Sequence, residues 1–494
     1  MAEYLLGIDV GTSACKVAVF DKTGSVIASE TGAYNVYYPQ SGYVEQKPEE
    51  WREVIYKAIK NILASGKVRA GDIKSVGIDG QSWSAICIDK SGDILFDNPI
   101  WMDTRAAKIC GNIRNNMKDL SGEIFKLCGN PFSPTYVTPK IIWLKQNYPE
   151  VFKRVYKVLQ SNSYIIYKLT GKLSHDLSQC YGLHFWDMRK NKPDERMAQA
   201  LDIDLALLPD VYNCHDIIGG VTREAAELTG LLEGTPVVAG GVDSACGTLG
   251  AGVIYDGETQ EAGGQSGGMS ICCDAYKAHE KLILCNHAVP GKYLLQGGTV
   301  GGGASFKWLR ENFFAGLSFE QMDSLAGGIA CGSGGVIFLP YMAGERSPIW
   351  NPDAKGVFYG LDFSKSNAHF VRAVMEGVAY SLLHNIKTAE ESGVYIDKIY
   401  ATGGSANSGL WTQIKADVLN ATVAVPLSDN STTLGAAILG GVAVGLYKDF
   451  EEAVKSAVTI KKTHVPNFAN HEVYMKGYAI YLDIYENLKG LMGR

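Results

Sequence analysis

Residues Leu5 to Phe20 read LLGIDVGTSACKVAVF. Two apolar runs, LLGI and VAVF, flank a bend that carries Asp9, Gly11, Thr12, Ser13 and Lys16. An ordinary tight hairpin turns in two residues such as Asn-Gly or Asp-Gly. This bend is longer and rich in small residues and backbone donors. A solvated loop accounts for it without special chemistry. A phosphate cradle accounts for it too: N–H groups and hydroxyls would hold phosphate oxygens, Asp9 would hold Mg²⁺ through water, and Lys16 would add countercharge. The rest of the chain decides between them.

With 494 residues the chain exceeds what one core usually supports, which predicts two large domains. Hydrophobic residues make up 46% and charged residues 20%, the balance of a globular protein. A net charge of -6 leaves no basic excess for phosphate backbones, so nucleic acid is not expected as a partner. The 56 glycines exceed ordinary usage and cluster beside apolar runs, as in AGGVDSACGTLGAG, EAGGQSGGMS, QGGTVGGGAS and ATGGSANSG. Such clusters permit close backbone approach to a ligand. Eleven cysteines without a CxxC pair predict free thiols, and nine histidines without HExxH or HxxxH predict no zinc site. No secretory signal pattern opens the chain and no apolar run reaches the ~20 residues of a membrane span. A cytoplasmic protein without membrane partners is the expectation.

LLGIDV, KVAVFD and SVIASET predict a three-strand meander, and PEEWREVIYKAIKNILAS an amphipathic helix with Pro48 near its start. KSVGID and SAICID predict strands on either side of GQSW, followed by a long helical middle from about Asp103 to Leu169. At Thr235 the opening theme returns: PVVAGGVDSACGTLGAG joins an apolar run, Asp243, small residues and another apolar run. The second half repeats the flavour. SNAHFVRAVMEGVAYSLLHNIKTAEESG predicts the strongest helix, DKIYATGGSANSGLWTQIKADVLN a strand, glycine turn and helix, and TTLGAAILGGVAVGL a buried helix. Two α/β halves joined near residues 246–256 would leave a cleft between them, where ligands usually sit.

Phosphoryl transfer needs these parts: cradled phosphates, Mg²⁺, in-line positioning and a base for the attacking hydroxyl. DVGTSACK would cradle phosphates, Asp243 would take the proton, and TGGSANSG would bring backbone to adenosine. Neither the Walker A pattern nor the protein-kinase HRD and DFG sets occur in the chain. Plainer readings exist for each piece: Asp243 as a turn cap, Ser405 or Asn407 as a helix N-cap, Trp83 and Trp101 as core aromatics.

The chain resembles the FGGY carbohydrate kinases of the actin/Hsp70/sugar-kinase superfamily, almost end to end. GVFYGLDFSKSNAHFVRAVMEG at 356–377 is similar to the family's C-terminal signature, and GERSPIWNPDAKG precedes it. PTYVTPKIIWLKQN resembles the N-terminal signature, with Lys140 and Trp143 in place and Val137 where Pro, Ser or Thr is usual. The resemblance implies two ribonuclease-H-like domains flanking an active-site cleft. Residues 1–248 would form the N-terminal domain with the sugar site, first phosphate motif and catalytic aspartate. Residues 249–494 would form the ATP-binding domain. It further implies transfer of the γ-phosphoryl group of MgATP to a sugar or polyol hydroxyl by a homodimeric enzyme. Asp9, Gly11, Thr12, Ser13 and Lys16 then match the first phosphate motif, Asp243 the base, and Gly403, Gly404 and Asn407 the adenosine motif. Gly264 and Ser266 belong to a second phosphate segment, where Gln265 replaces the usual threonine, and Gly301 joins the nucleotide contacts.

Within the family, TPKIIW and Lys16 resemble the xylulokinase group, and the glycerol-kinase Gln-Arg-Glu-Thr element is absent. Acceptor contacts would come from Gln81, Ser82, Trp83, Asp103 and Asp243. Trp83 stands where that group carries a ketose-contacting histidine, and WMDTRA replaces Trp-Asn-Asp-Gly-Arg. A site that loses a hydroxyl partner changes its selectivity. A pentulose such as D-xylulose is the leading acceptor. L-xylulose, ribulose, glycerol, erythritol and deoxy ketoses stand as alternatives. An actin/Hsp70-like ATPase is the rival class.

Overall fold

The computed structural model describes residues 2–493. The first sheet contains β1 (Tyr4–Val10), β2 (Ala14–Asp21), β3 (Val26–Ala33), β4 (Ile73–Gly80), β5 (Ile217–Gly220), β6 (Pro236–Val238) and β7 (Gly241–Val242). Its order is β5-β6-β4-β1-β2-β3, with β7 also beside β4. The predicted meander is present: β1 and β2 pair antiparallel with Asp9 opposite Lys16, and β2 pairs with β3. Leu6, Ile8, Val10, Val17 and Val19 are buried against Trp51, Ile55, Ile59 and Ile62 of α1 (Pro48–Ala64). Proline at the helix start lacks only an N–H that the first turn leaves unpaired anyway.

The helical middle is not continuous. It breaks into α2 (Ala107–Asn116), α3 (Lys118–Cys128), α4 (Val137–Asn147) and α5 (Ser161–Thr170), with a short strand Lys157–Leu159 between the last two. Gly129 takes a left-handed φ of 72° to close α3, and Pro149 starts a new turn after α4. The strand expected over SAICID shortens to Ile86–Ile88 and pairs with Lys157–Leu159, outside the main sheet.

After α6 (Asp243–Gly250) the chain builds a second sheet. Its strands are β8 (Thr259–Ala262), β9 (Gly267–Cys273), β10 (Ile283–Asn286), β11 (Tyr293–Thr299), β12 (Lys398–Thr402), β13 (Thr422–Pro426) and β14 (Ile460–His464). They follow the order β10-β11-β9-β8-β12-β13-β14. Its helices include α7 (Gly303–Phe313), α8 (Asn367–Glu390), α9 (Gly409–Leu419), α10 (Ser431–Ala443) and α11 (Phe468–Leu488). The chain thus forms two seven-stranded sheets with helices, in keeping with the expected α/β class. None of the eleven cysteines is in a disulfide. Among the described residues no helix is long and apolar enough to cross a membrane.

Helix α10 is the buried alanine-rich helix, but it lies on the first sheet rather than the second. A Cβ on Gly7 of β1 would meet the Thr433 carbonyl oxygen at 2.0 Å, and one on Gly77 of β4 the Ala436 oxygen at 1.8 Å. Gly250 and Gly435 seal α6 against α10 in the same way, since a Cβ on either would meet a backbone oxygen of the other helix at 1.8 Å. Part of the glycine excess therefore serves helix packing between the halves rather than ligand approach.

Candidate active site

β1, β4 and β7 run parallel and side by side, so their C-terminal ends share one edge of the sheet. Asp9 is in register with Asp79, and Asp243 follows directly on β7 at the first position of α6. Three carboxylates thus collect at one edge. Desolvation pushes Asp9 up to about 6, against relief from Asp79 and Lys16. Asp243 rises to about 7, first through burial and then through the charge of Asp9, while the Ser244 N–H donates to it at 2.6 Å. Asp79 is fully buried and lies well above the carboxylate range, through burial and then through Asp9 and Asp243. Neighbouring carboxyls in such a site disfavour one another's ionisation, and burial pushes Asp79 furthest toward its neutral form.

Asp79 was not among the residues picked from the sequence. Its signal was present: Gly-Ile-Asp occurs at 7–9 and again at 77–79, and the two triplets are register partners.

The phosphate-type bend is held from its carbonyl side. Tyr34 donates its hydroxyl to the Gly11 oxygen and its N–H to the Ser13 oxygen, and Gln46 donates to the Thr12 oxygen at 2.6 Å. In a trans peptide the N–H points opposite to the C=O. The N–H groups of Thr12 and Ser13 are therefore turned away from these anchors. The Thr12 hydroxyl accepts the Trp101 indole N–H at 3.0 Å. Asp9 Oδ1 has no hydrogen-bond partner and both Asp79 oxygens lack one. Among the described residues, no three or more His, Cys, Asp or Glu side chains converge as a metal cage. One or two free carboxylates without a cage suit Mg²⁺, which keeps waters and takes phosphate oxygens.

The loop after β4 forms a wall. Gln81 donates to Gln46 at 2.7 Å, and through Gln46 it is tied to Thr12. Ser82 and the Tyr181 hydroxyl lie 2.8 Å apart. Trp83 is buried at a φ of 60°, unusual for a side chain of this bulk, and stacks on Tyr136 at 4.1 Å between ring centres. Its indole N–H has no partner. Lys140 holds the wall by donating to the carbonyls of Trp83 and Ile100 at 2.7 and 2.8 Å, and burial pushes it down to about 7. Asp103 is placed differently. Its oxygens are taken up by the Val44 N–H and by Arg105, which also pairs with Glu45 at 2.6 Å.

In the second half, the segments after β8 and β11 touch: the Gly303 N–H donates to the Gly264 oxygen and the Ala304 N–H to the Gln265 oxygen. Together with the turn after β12 they enclose a cavity of about 490 Å³ lined by Gly264, Gln265, Phe306, Gly404, Asn407 and Trp411. A Cβ on Gly404 would meet nothing, whereas Gly301 packs on the Pro340 carbonyl and Gly403 needs its φ of 79°. Gly264, Gly404 and Asn407 are thus brought together. Ser266, Gly301 and Gly403 lie outside that lining. The cap of α9 is Ser408, which accepts the Trp411 N–H, rather than Ser405 or Asn407. Beneath the turn, Lys415 pairs with Glu261 at 2.6 Å and donates to the Ser405 hydroxyl at 2.7 Å. Sequence reading gave no hint of that pair.

The chain as a whole is similar to known proteins. The sequence model of the FGGY family of carbohydrate kinases fits residues 4–250 with its N-terminal domain and residues 273–444 with its C-terminal domain. The chain belongs to the FGGY family of carbohydrate kinases. Xylulose kinase of Staphylococcus epidermidis is 33% identical over 491 residues, covering 99% of this chain and 98% of its own. A ligand-bound xylulose kinase from Lactobacillus acidophilus superposes with a TM-score of 0.92 at 27% identity over 99% of each chain. A gluconate kinase from the same organism gives 0.91 at 27% identity, covering 99% of this chain and 98% of its own. This FGGY kinase is therefore an ATP-dependent sugar phosphotransferase with the two-lobed fold of the actin/Hsp70 superfamily.

Proposed function

We propose that this FGGY kinase transfers the γ-phosphoryl group of MgATP to a hydroxyl of a pentulose such as D-xylulose, with Asp243 as general base. The carrying observation is Asp243 itself: a carboxylate at the sheet edge that also bears Asp9 and Asp79, raised to about 7 by burial and by Asp9. A base is most effective with a pKa near the working pH. Asp243 takes the acceptor's proton as the oxygen–phosphorus bond forms and the bond to the ADP oxygen breaks. The N–H groups of Thr12 and Ser13 hold phosphate oxygens, and Lys16, opposite Asp9 in the hairpin, adds countercharge. Asp9 would hold Mg²⁺ through water, which neutralises charge on the phosphates. Gly404 and Asn407 receive the adenosine in the second-half cavity. Trp83, stacked on Tyr136, stands behind the acceptor wall in place of a histidine and leaves the acceptor's polar contacts to Gln81 and Ser82.

The test is ADP release from MgATP against D- and L-xylulose, D- and L-ribulose, glycerol, erythritol, ribitol, L-fuculose and D-gluconate. A dominant D-xylulose signal supports the pentulose reading. Turnover with another acceptor alone overturns it and leaves the kinase chemistry standing. Asp243→Asn should lose nearly all turnover while still binding sugar and ATP, and Asp9→Ala should weaken the response to Mg²⁺. Retention of most of kcat in Asp243→Asn would refute its role as base.

A further inference from the structure

Arginines inside this molecule are normally clamped. Arg105 is held by Asp103 and Glu45, and Arg372 by Glu376 and the Tyr474 hydroxyl. Arg346 is the exception. Among the described residues it has no ion pair, and its guanidinium makes no hydrogen bond; only its backbone N–H is engaged, with Glu345. The Glu345 carboxylate is turned to backbone, accepting from the Val300 N–H at 2.8 Å and the Arg346 N–H at 2.7 Å. Burial holds the Arg346 guanidinium below its usual range, with Glu345, Tyr136 and Tyr181 pulling the other way.

The position of that guanidinium is built. Gly298 has no side chain where a Cβ would sit 3.1 Å from the guanidinium carbon, so the group lies against bare backbone. The Gly298 N–H donates to Ser347 Oγ at 2.6 Å, which fixes the residue after Arg346 to the same strand end. Across the cleft the guanidinium faces the Trp101 ring at 6.0 Å, and Trp101 is itself bonded to Thr12 of the phosphate bend. Tyr136 and Tyr181, which neighbour it, are the rings that pack on Trp83. Arg346 is half-buried, and among the described residues its guanidinium has no protein counter-ion, so it is left open to an anion entering the cleft. Here the second half presents that charge to the meeting point of phosphate bend and acceptor wall.

We propose that Arg346 is an oxyanion receptor in the cleft, filled by an anionic group at the acceptor end of the reaction. This rests on the kinase reading of the same site. The planar fork suits phosphate and carboxylate alike. The anion is either the phosphoryl group in transit or a carboxylate on a sugar-acid acceptor. In both cases the same bonds change: acceptor oxygen to phosphorus forms, phosphorus to the ADP oxygen breaks, and the acceptor's proton goes to Asp243.

The experiment compares wild type, Arg346→Gln and Arg346→Lys in kcat and KM for neutral ketoses and for D-gluconate. If the anion is the phosphoryl group, Arg346→Gln loses about a hundred- to a thousand-fold in kcat with acceptor KM little changed. Arg346→Lys then recovers only part of it. If it is a carboxylate, wild type accepts the acid alone and Arg346→Gln raises its KM at least a hundred-fold. Values within about three-fold of wild type for every acceptor overturn the proposal. Should wild type turn over no acceptor, the acceptor reading is at fault, and calorimetric binding of inorganic phosphate with MgADP decides Arg346 separately. A ten-fold weaker phosphate affinity in Arg346→Gln supports the receptor, and equal affinity overturns it. Melting temperatures no lower than wild type are expected for Arg346→Gln, because the variant removes an unpaired charge.

Discussion

Replacing Asp243 by Asn separates catalysis from stability. A carboxylate at about 7 in the folded chain and at 3.8 in the unfolded one binds its proton more tightly when folded. Its contribution to stability is therefore full below pH 3.8 and is lost as pH rises through about 7. One pKa unit corresponds to about 1.4 kcal/mol, so ionisation at this buried position costs the native state up to about 4 kcal/mol. Asn keeps the neutral shape and escapes that cost. The variant's advantage should grow by about 2–3 kcal/mol between pH 5 and pH 7 and stay flat above it. In a lobe of about 250 residues this widens the gap in Tm by roughly 5–10 °C. Thermal melts of both proteins at pH 5, 6, 7 and 8, without nucleotide or Mg²⁺, measure the gap, and coupled ADP release measures turnover. A gap that does not change with pH, or a variant that melts lower throughout, would refute the raised carboxylate.

Three further substitutions probe the frame around the site. Gln46→Leu strands the Gln81 amide and the Thr12 carbonyl in a buried place, at about 1–3 kcal/mol each, and should lower both Tm and kcat; an unchanged kcat would detach the relay from the reaction. Lys415→Met leaves Glu261 charged and alone, which should destabilise by about 3–5 kcal/mol in urea titrations, while the double variant with Glu261→Gln should regain much of the loss. If the double variant is as unstable as the single one, the pair is not what holds the turn after β12. Gly77→Ala forces a Cβ to within 1.8 Å of the Ala436 oxygen, so strand and helix must separate by over 1 Å two residues before Asp79. A loss of about a hundred-fold in kcat is expected from a displacement of that size, and wild-type kinetics would show that the contact is not transmitted to the site.

The opening hairpin, α1 and α8 were legible because each announces itself within one stretch of chain, by strand alternation or helical spacing. The two-lobed class was legible as well, and the structure places Asp9 and Asp243 at one sheet edge and Gly404 and Asn407 at one cavity, each in a short glycine-flanked motif. Gln46, Tyr181 and Lys415 were not. Their partners lie 35, 99 and 154 residues away, and nothing local distinguishes them from ordinary surface or core residues. Asp79 falls between these cases, readable from the repeated Gly-Ile-Asp only once β1 and β4 are taken as neighbours. The helical middle misled because apolar spacing continues through Gly129 and Pro149, where backbone geometry does not.

Glycine usage misled for a deeper reason, and it bears on how the halves cooperate. Clusters of glycine were read as openings for a ligand, yet Gly250 of one cluster, like Gly7, Gly77 and Gly435 outside them, faces the backbone of a neighbouring element. All four belong to one contact, in which α10 from the second half lies on β1 and β4 and against α6. β1 carries Asp9, β4 carries Asp79, and α6 begins with Asp243. Backbone packed on backbone has no side chain to rearrange, so it transmits displacement rather than absorbing it. The first sheet's carboxylates are thus fixed relative to a helix that follows β13 in sequence, and β13 pairs with the strand leading into the second-half cavity. A substitution in α10 that touches no ligand should therefore change nucleotide and acceptor kinetics together, whereas one in the Trp83 wall should change acceptor kinetics alone.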